Sequence, residues 1–191
     1  MRKHQKAILF LEDGLFFKGK SLGSLGETSG EVCFNTGMTG YQEILTDPSY
    51  AKQMIVMCSP HIGNYGTNES DVESSNIYAS GFIIKNESLS PSSWRSSSSL
   101  EEFLKSNKVV GVQDIDTRAL TIHIRNNGSM KGIISTNDFD IDSLAKKIKD
   151  IPSMEGLDLA KEVSRKEKTT LCSVDNPKYK IAAIDYGMKS N

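Results

Sequence analysis

The chain has 191 residues with 23 basic and 24 acidic side chains, so its formal net charge is only −1. A chain of this length predicts one domain with at most a short appendage, and the balanced charge argues against nucleic acid as a partner. Three cysteines without a Cys-x-x-Cys pair, and no apolar run of membrane-spanning length, argue against a disulfide framework, a zinc site or a membrane anchor. We therefore expect a cytoplasmic protein.

The first half of the chain is rich in predicted strands. Apolar residues 7–11 and 15–19 flank Asp13-Gly14, which is typical of a β-hairpin because glycine accepts a positive φ in a tight turn. Residues 53–59 are apolar without alternation, which indicates a strand buried on both faces. Two further strands are predicted, at residues 31–35 and 77–85.

The second half mixes helices with strands. Ser99 and Glu102 form a capping box that predicts the start of a helix, after a Ser-rich surface loop at residues 88–99. Asp116 caps a second helix that ends near Gly128. The remaining predictions are strands at residues 108–112 and 131–135, a helix that begins after Asp140 or Asp142, and a short helix at residues 157–163. Together they predict a compact mixed β/α domain, with an antiparallel or mixed sheet that helices cover on one side.

The carboxyl-terminal residues predict a second unit. Residues 165–179 are polar, contain Pro177 and read as a linker from a domain at residues 1–164. Residues 180–191 hold an apolar run closed by Asp185-Tyr186-Gly187, which is typical of the first strand of a parallel α/β domain. A parallel strand needs neighbouring strands. We therefore expect residues 181–184 to be frayed, or paired with another chain, unless such strands cover them.

Two loops crowded with Gly, Thr, Asn and Ser flank the predicted strand at residues 53–59. Asp47-Pro48-Ser49-Tyr50 has the composition of a type I turn, in which proline fixes φ and the Ser49 hydroxyl stands clear. That hydroxyl can donate to or accept from the amide or carboxylate of a ligand. An ordinary solvated turn is the alternative interpretation.

Other reactive side chains give weaker signals. Ser49 with His61 and Asp47 leaves open a self-contained hydrolase, but no Gly-x-Ser-x-Gly elbow is present, and we expect His61 to bond to loop backbone. The spacing of His4, His61 and His123 matches no known metal site, so no bound metal is expected.

Several segments in order resemble the amino-terminal domain of the carbamoyl-phosphate synthase small subunit. The resemblance extends from about residue 7 to the end of the chain, where the last segment is similar to the start of that family's class I glutamine amidotransferase domain. The segments are Phe-Asn-Thr-Gly-Met-Thr-Gly-Tyr-Gln-Glu (34–43), Thr-Asp-Pro-Ser-Tyr (46–50), Pro-His-Ile-Gly-Asn (60–64), Asp-Ile-Asp-Thr-Arg (114–118), Gly-Leu-Asp-Leu-Ala (156–160) and Ile-Asp-Tyr-Gly-Met-Lys-Ser-Asn (184–191).

This resemblance implies a function. In the family, the small subunit hydrolyses glutamine, and the ammonia passes through a tunnel to a large subunit. The large subunit uses ATP, Mg²⁺ and bicarbonate to make carbamoyl phosphate for arginine and pyrimidine synthesis. For this chain the resemblance implies docking to the large subunit, contact between Ser49 and glutamine, and no cofactor of its own.

The chain departs from the family pattern in its catalytic residues. The family's nucleophilic cysteine and its His and Glu partners belong to the amidotransferase domain. Here Cys172 lies in the predicted linker, and Cys33 and Cys58 lie in strand-like runs. Because glutamine hydrolysis needs an activated thiolate and an oxyanion hole, we expect no catalytic residue in this chain and no activity from it alone. A stand-alone interaction module without catalysis is the alternative.

Overall fold

A computed structural model describes residues 4–170 and 174–189. Nine strands are present in this part of the chain: β1 (Lys6–Leu11), β2 (Phe16–Gly23), β3 (Glu27–Asn35), β4 (Gln53–Met57), β5 (His61–Ile62), β6 (Gly81–Ile83), β7 (Asn86–Glu87), β8 (Val110–Gln113) and β9 (Met130–Ser135). Five α-helices accompany them: α1 (Tyr41–Thr46), α2 (Leu100–Ser106), α3 (Thr117–Asn127), α4 (Ile141–Lys147) and α5 (Leu159–Val163). Short 3₁₀ turns lie at Pro48–Tyr50 and Ile148–Asp150.

Seven strands close into a barrel in the order β1-β2-β8-β6-β4-β3-β9, and β9 pairs with β1. The pairs β3–β4, β4–β6 and β6–β8 are parallel, whereas the other four are antiparallel. The prediction of a mixed β/α domain is confirmed. The prediction of a sheet covered on one side is wrong. The two edge strands pair with each other, so the sheet closes, and side chains pack on both its inner and its outer surface.

The predicted amino-terminal hairpin is confirmed. β1 and β2 pair antiparallel with Phe10 opposite Phe16, and Gly14 has a φ of 91° in the turn. The carboxylate of Asp13 accepts the backbone N–H of Leu15 at 3.0 Å and so fixes the turn. The strand predicted at residues 77–85 is shorter than expected, since only β6 pairs there.

Two sets of side chains explain why β1 is apolar throughout. Leu9 and Leu11 belong to the central hydrophobic cluster, which includes residues of every barrel strand except β2 together with Leu120 and Ile124 of α3. Ile8 and Phe10 point to the other face and pack on Leu144 of α4 and Ile148. A third cluster packs α1 and α2 against the opposite side of the barrel. Both faces of β1 are therefore buried.

The predicted helix ends agree with the structure. Ser99 and Glu102 form the reciprocal capping box of α2, Asp116 caps α3 through the Ala119 amide, and Gly128 follows α3 with a φ of 90°. Asp140 caps α4, which resolves the choice between Asp140 and Asp142. Local side chain-to-backbone bonds of this kind depend only on neighbours in sequence, and this explains their predictability.

Residues 165–170 and 174–189 contain no helix or strand. The side chains of Ile181 and Ile184 are 91% and 80% exposed, so the strand predicted at residues 181–184 does not form here. Cys172, which we placed in the linker, lies outside the described residues. The boundaries of a linker and a second domain stay predictions. No helix in the described part of the chain is long and apolar enough to cross a membrane.

Candidate functional site

The turn at Asp47–Tyr50 follows α1 directly. The Oδ1 atom of Asp47 accepts the backbone N–H of Ser49 at 2.8 Å, and the Asp47 carbonyl accepts the N–H of Tyr50 at 3.1 Å. The second bond is the one that a type I turn makes, so the predicted turn is confirmed. Asp47 and Pro48 are buried, whereas Ser49 is exposed. The buried residues anchor the turn and present the serine at the surface.

Asp47 also contacts the end of the described chain. Its Oδ2 atom lies 2.6 Å from Nζ of Lys189. Burial raises the pKa of Asp47, but the hydrogen bonds from Lys189 and from both the backbone and the hydroxyl of Ser49 outweigh burial and hold that pKa below its ordinary value. The hydrogen bond to Asp47 raises the pKa of Lys189 in turn. Both groups are therefore charged at neutral pH, and the carboxylate holds the backbone N–H of Ser49.

The carboxyl-terminal segment, defined here as residues 185–189, is held against the turn by further contacts. Oδ1 of Asp185 accepts the N–H groups of Gly187 and Met188 at 2.7 and 2.8 Å. Gly187 has a φ of 99°, and a Cβ atom there would lie 2.6 Å from Cγ2 of Val163 and 3.5 Å from Cβ of Pro48. The segment thus fits between α5 and the turn only because residue 187 is glycine.

Residue Arg165 adds a further tie to this segment. Its Nε atom lies 3.2 Å from Oδ2 of Asp185. The segment is consequently fixed at Asp185, Gly187 and Lys189, although it has no regular secondary structure. The contact between Lys189 and Asp47 follows from no short sequence spacing, because the two residues lie far apart along the chain.

The other side of the turn is joined to the end of β3. The phenol oxygen of Tyr50 accepts Nδ2–H of Asn35 at 3.2 Å, and Oδ1 of Asn35 accepts the N–H of Gly37 at 2.7 Å. The Tyr50 side chain therefore links the Ser49 turn, which precedes β4, to the end of the neighbouring strand β3. Polar loops on a rigid scaffold are a usual place for ligand binding.

Tyr65 connects the two polar loops that the sequence analysis singled out. Its phenol oxygen accepts the N–H groups of Gly40 and Tyr41 at 2.6 and 3.1 Å, which satisfies two free donors at the start of α1. The rings of Tyr41 and Tyr65 stack with centroids 4.2 Å apart. Burial raises the pKa of Tyr65 to about 12, so its hydroxyl stays neutral. The two polar loops therefore lie against each other.

The remaining candidates do not join this site. His61 is exposed, and within residues 4–170 and 174–189 its imidazole makes no hydrogen bond, so the expected bond to loop backbone is wrong. The carboxylate of Asp47 is occupied by Ser49 and Lys189, not by a histidine. Ser49, His61 and Asp47 therefore do not form a catalytic triad, and the geometry does not support the hydrolase interpretation.

The thiol of Cys33 is unsuited to nucleophilic chemistry. Burial raises the pKa of Cys33 to about 12, which leaves its thiol protonated at neutral pH. Cys58 is half-buried, with its Sγ atom 3.2 Å from the hydroxyl oxygen of Thr121. The third cysteine, Cys172, lies outside the described residues.

Comparison with known proteins agrees with the motifs. Residues 9–134 match the family model described as the CPSase domain of the carbamoyl-phosphate synthase small chain. Curated proteins named carbamoyl phosphate synthase small chain are 50% identical in Syntrophotalea carbinolica, 51% in Thermotoga maritima and 47% in Aquifex aeolicus, over 97%, 97% and 100% of this chain. The matches cover 53%, 47% and 54% of those relatives, so the chain spans about half their length. The chain belongs to the carbamoyl-phosphate synthase small chain family.

Proposed function

We propose that this chain is the amino-terminal part of a glutamine-hydrolysing carbamoyl-phosphate synthase small chain. In this role it docks to the large subunit and contributes the Ser49 hydroxyl to the glutamine site. The catalytic Cys, His and Glu are supplied by the half of the small chain that its relatives have beyond the matched region. The large subunit supplies the ATP and Mg²⁺ chemistry.

The observation that carries the proposal is the arrangement of the Ser49 turn. The backbone N–H of the exposed Ser49 is held by a buried, charged carboxylate, and that carboxylate is tied to the carboxyl-terminal segment through Lys189. The sequence of that segment resembles the start of the amidotransferase domain in this family. This proximity supports the proposal, because a serine that contacts glutamine must lie near the domain that hydrolyses glutamine.

The chemistry of glutamine fits a serine hydroxyl. Ser49 can accept from the α-ammonium group or donate to the α-carboxylate, and a hydrogen bond to a charged group contributes about 1.5–3 kcal/mol. Such a contact acts on substrate binding and does not itself break the amide bond. Loss of the hydroxyl should raise KM for glutamine by about 10-fold or more while kcat changes less.

The sharpest test replaces the corresponding half of the Thermotoga maritima small chain with this chain and pairs the hybrid with a large subunit. The 51% identity between the two sequences makes the exchange conservative. We expect co-elution with the large subunit in size-exclusion chromatography, glutaminase activity, and a raised KM in Ser49→Ala. Ser90→Ala is the matched control, because Ser90 is exposed and makes no hydrogen bond within the described residues.

Four results would contradict the proposal. If the hybrid co-elutes with the large subunit but Ser49→Ala leaves KM for glutamine unchanged, Ser49 does not line the site. If neither the hybrid nor the 191-residue chain binds a large subunit, the docking role is wrong. A chain that docks but never supports glutaminase activity in the hybrid would be the stand-alone interaction module. Turnover of glutamine by the chain alone, abolished in Ser49→Ala, would restore the hydrolase alternative.

A further inference from the structure

Ser49 lies between two anchored neighbours. On its amino-terminal side, the carboxylate of Asp47 accepts the backbone N–H of Ser49 and pairs with Lys189. On its carboxyl-terminal side, the phenol oxygen of Tyr50 accepts Nδ2–H of Asn35 at 3.2 Å. The two anchors use different partners, so the second can be removed while the first stays intact.

Asn35 is the fixed end of the second anchor. It ends β3 and lies opposite Met57 of β4 in a parallel pair, and its carbonyl accepts the N–H of Cys58 at 3.0 Å. Its side chain is held as well, because Oδ1 accepts the N–H of Gly37 at 2.7 Å. A backbone N–H can only donate, so the amide oxygen must face Gly37 and the NH₂ group must face Tyr50. The barrel therefore presents a donor to Tyr50 in a fixed orientation.

Tyr50 connects this donor to the serine. Its ring is half-buried and packs against the hydrophobic cluster that holds α1 and α2 on the barrel. Its N–H donates to the carbonyl of Asp47 at 3.1 Å, and the N–H of Ala51 donates to the carbonyl of Pro48 at 3.1 Å. Both backbone bonds span Ser49. A displacement of Tyr50 therefore displaces the serine.

A fixed serine binds a ligand more tightly than a mobile one, because less conformational freedom is lost on binding. Misplacement of a contact by about 1 Å is enough to weaken it strongly. We propose that Tyr50 and Asn35 are positioning residues of the glutamine site, which hold the Ser49 hydroxyl in place without touching glutamine themselves. This inference rests on the proposed function, from which it takes the contact between Ser49 and glutamine.

Loss of the second anchor should weaken glutamine binding and leave the chemical step alone. Tyr50→Phe removes one oxygen atom and keeps the packing of the ring. Because the lost bond joins neutral groups, we expect KM for glutamine to rise about 3-fold, less than in Ser49→Ala, with kcat nearly unchanged. Asn35→Ala also frees the N–H of Gly37 and should raise KM at least as much. A purely structural role would instead reduce the amount of active complex, which lowers the apparent kcat and leaves KM unchanged.

The test is a double-mutant cycle in the hybrid small chain paired with a large subunit. In the Ser49→Ala background, Tyr50→Phe should raise KM no further, because no hydroxyl remains to be positioned. A Tyr50 hydroxyl that itself contacted glutamine would raise KM equally in both backgrounds. Tyr78→Phe is the matched control, because Tyr78 is also half-buried but its hydroxyl makes no hydrogen bond within residues 4–170 and 174–189. It should leave both KM and kcat unchanged.

The outcomes separate this inference from the proposed function. If Ser49→Ala raises KM but Tyr50→Phe does not, the positioning role is wrong and the contact between Ser49 and glutamine stands. Equal effects of Tyr50→Phe in the two backgrounds would also overturn the positioning role. An unchanged KM in Ser49→Ala would overturn both. If Asn35→Ala does not fold, the Tyr50→Phe cycle decides the outcome, since that variant keeps every packed carbon atom of the ring.

Discussion

Nζ of Lys189 lies 2.6 Å from Oδ2 of Asp47, while Oδ1 of the same carboxylate accepts the N–H of Ser49 at 2.8 Å. One buried side chain therefore holds the Ser49 turn and ties it to the carboxyl-terminal segment. The two functions of Asp47 use different oxygens, so different substitutions can separate them.

Substitutions at Asp47 should differ according to which bonds they remove. Asp47→Ala removes the acceptor of the Ser49 N–H and the partner of Lys189, and should lower the free energy of unfolding by about 2 kcal/mol. Asp47→Asn keeps a neutral acceptor and should cost about 0.5–1 kcal/mol, as should Lys189→Met, because Lys189 is partly exposed and solvent screens the pair. Urea denaturation measures the three values. Lys180→Met is the control, because Lys180 is an exposed lysine of the same region, and it should change the free energy of unfolding little. Equal losses of stability in Asp47→Ala and Asp47→Asn would contradict the division of roles between the two oxygens.

The ion pair should also give stability a defined pH dependence. The pKa of Asp47 is lower in the folded chain than its ordinary value of 3.8, so its contribution is present above that value and is lost as the pH falls through the folded-state pKa. The difference in unfolding free energy between the unaltered chain and Asp47→Asn should stay constant from about pH 7 to pH 5 and shrink at more acidic pH. A difference that is independent of pH down to acid unfolding would refute the pKa assignment.

Asp138 should titrate at unusually low pH. Hydrogen bonds from Lys147, Ser143 and the Asp140 amide lower its pKa to about 2. Carboxyl NMR titration should report that value in the unaltered chain and a value nearer 3.8 in Lys147→Met. Ser143→Ala should shift the pKa in the same direction by less, because the charged donor has the larger effect. An unchanged Asp138 titration in Lys147→Met would show that the ion pair at 2.8 Å does not persist in solution.

The capping box should account for a measurable part of the stability. The Ser99 hydroxyl accepts the N–H of Glu102, while Oε2 of Glu102 accepts the N–H of Ser99 at 2.9 Å. Ser99→Ala leaves helix donors unsatisfied and should lower the free energy of unfolding by about 1 kcal/mol. Ser90→Ala, in the same Ser-rich loop, is exposed and should be neutral. Equal denaturation midpoints for the two variants would contradict the capping role.

Gly132 should tolerate no side chain in the packed barrel. A Cβ atom there would lie 2.6 Å from Cγ2 of Val32 and 2.8 Å from Cε of Met54, both in the central cluster. Gly132→Ala should cost about 1–3 kcal/mol by overpacking, and Val32→Ala should cost about 2 kcal/mol by leaving a cavity. Because the new methyl group fills part of that cavity, the double variant should cost clearly less than the sum. Additive costs in a double-mutant cycle would mean that the two sites do not touch.

Much of the fold was predictable because its signals are local. The hairpin at Asp13-Gly14, the capping box at Ser99 and the glycine after α3 each depend on residues within one turn of the chain. The burial of β4 was also predicted, from the unbroken apolar run at residues 53–59. The type I turn at Asp47 followed from the preference of aspartate and proline for fixed positions in such turns.

Closure of the barrel could not be predicted from the sequence. It depends on β9 pairing with both β1 and β3, and on the parallel pairs from β3 through β8, which join residues far apart in the chain. Periodicity reports which face of a strand is buried but not which strand lies beside it. An open sheet and a closed barrel with the same strands therefore give the same pattern.

By itself, the amino-acid sequence determined the class of fold, the helix ends, the family resemblance and Ser49 as a candidate ligand contact, since each rests on residue types at fixed short spacings. Only the tertiary structure decided that Lys189 meets Asp47 and that Asn35 meets Tyr50. Contacts over such separations arise when many strands pack together and bury a common core. No short spacing encodes that cooperative choice, because each contact depends on the placement of all the others.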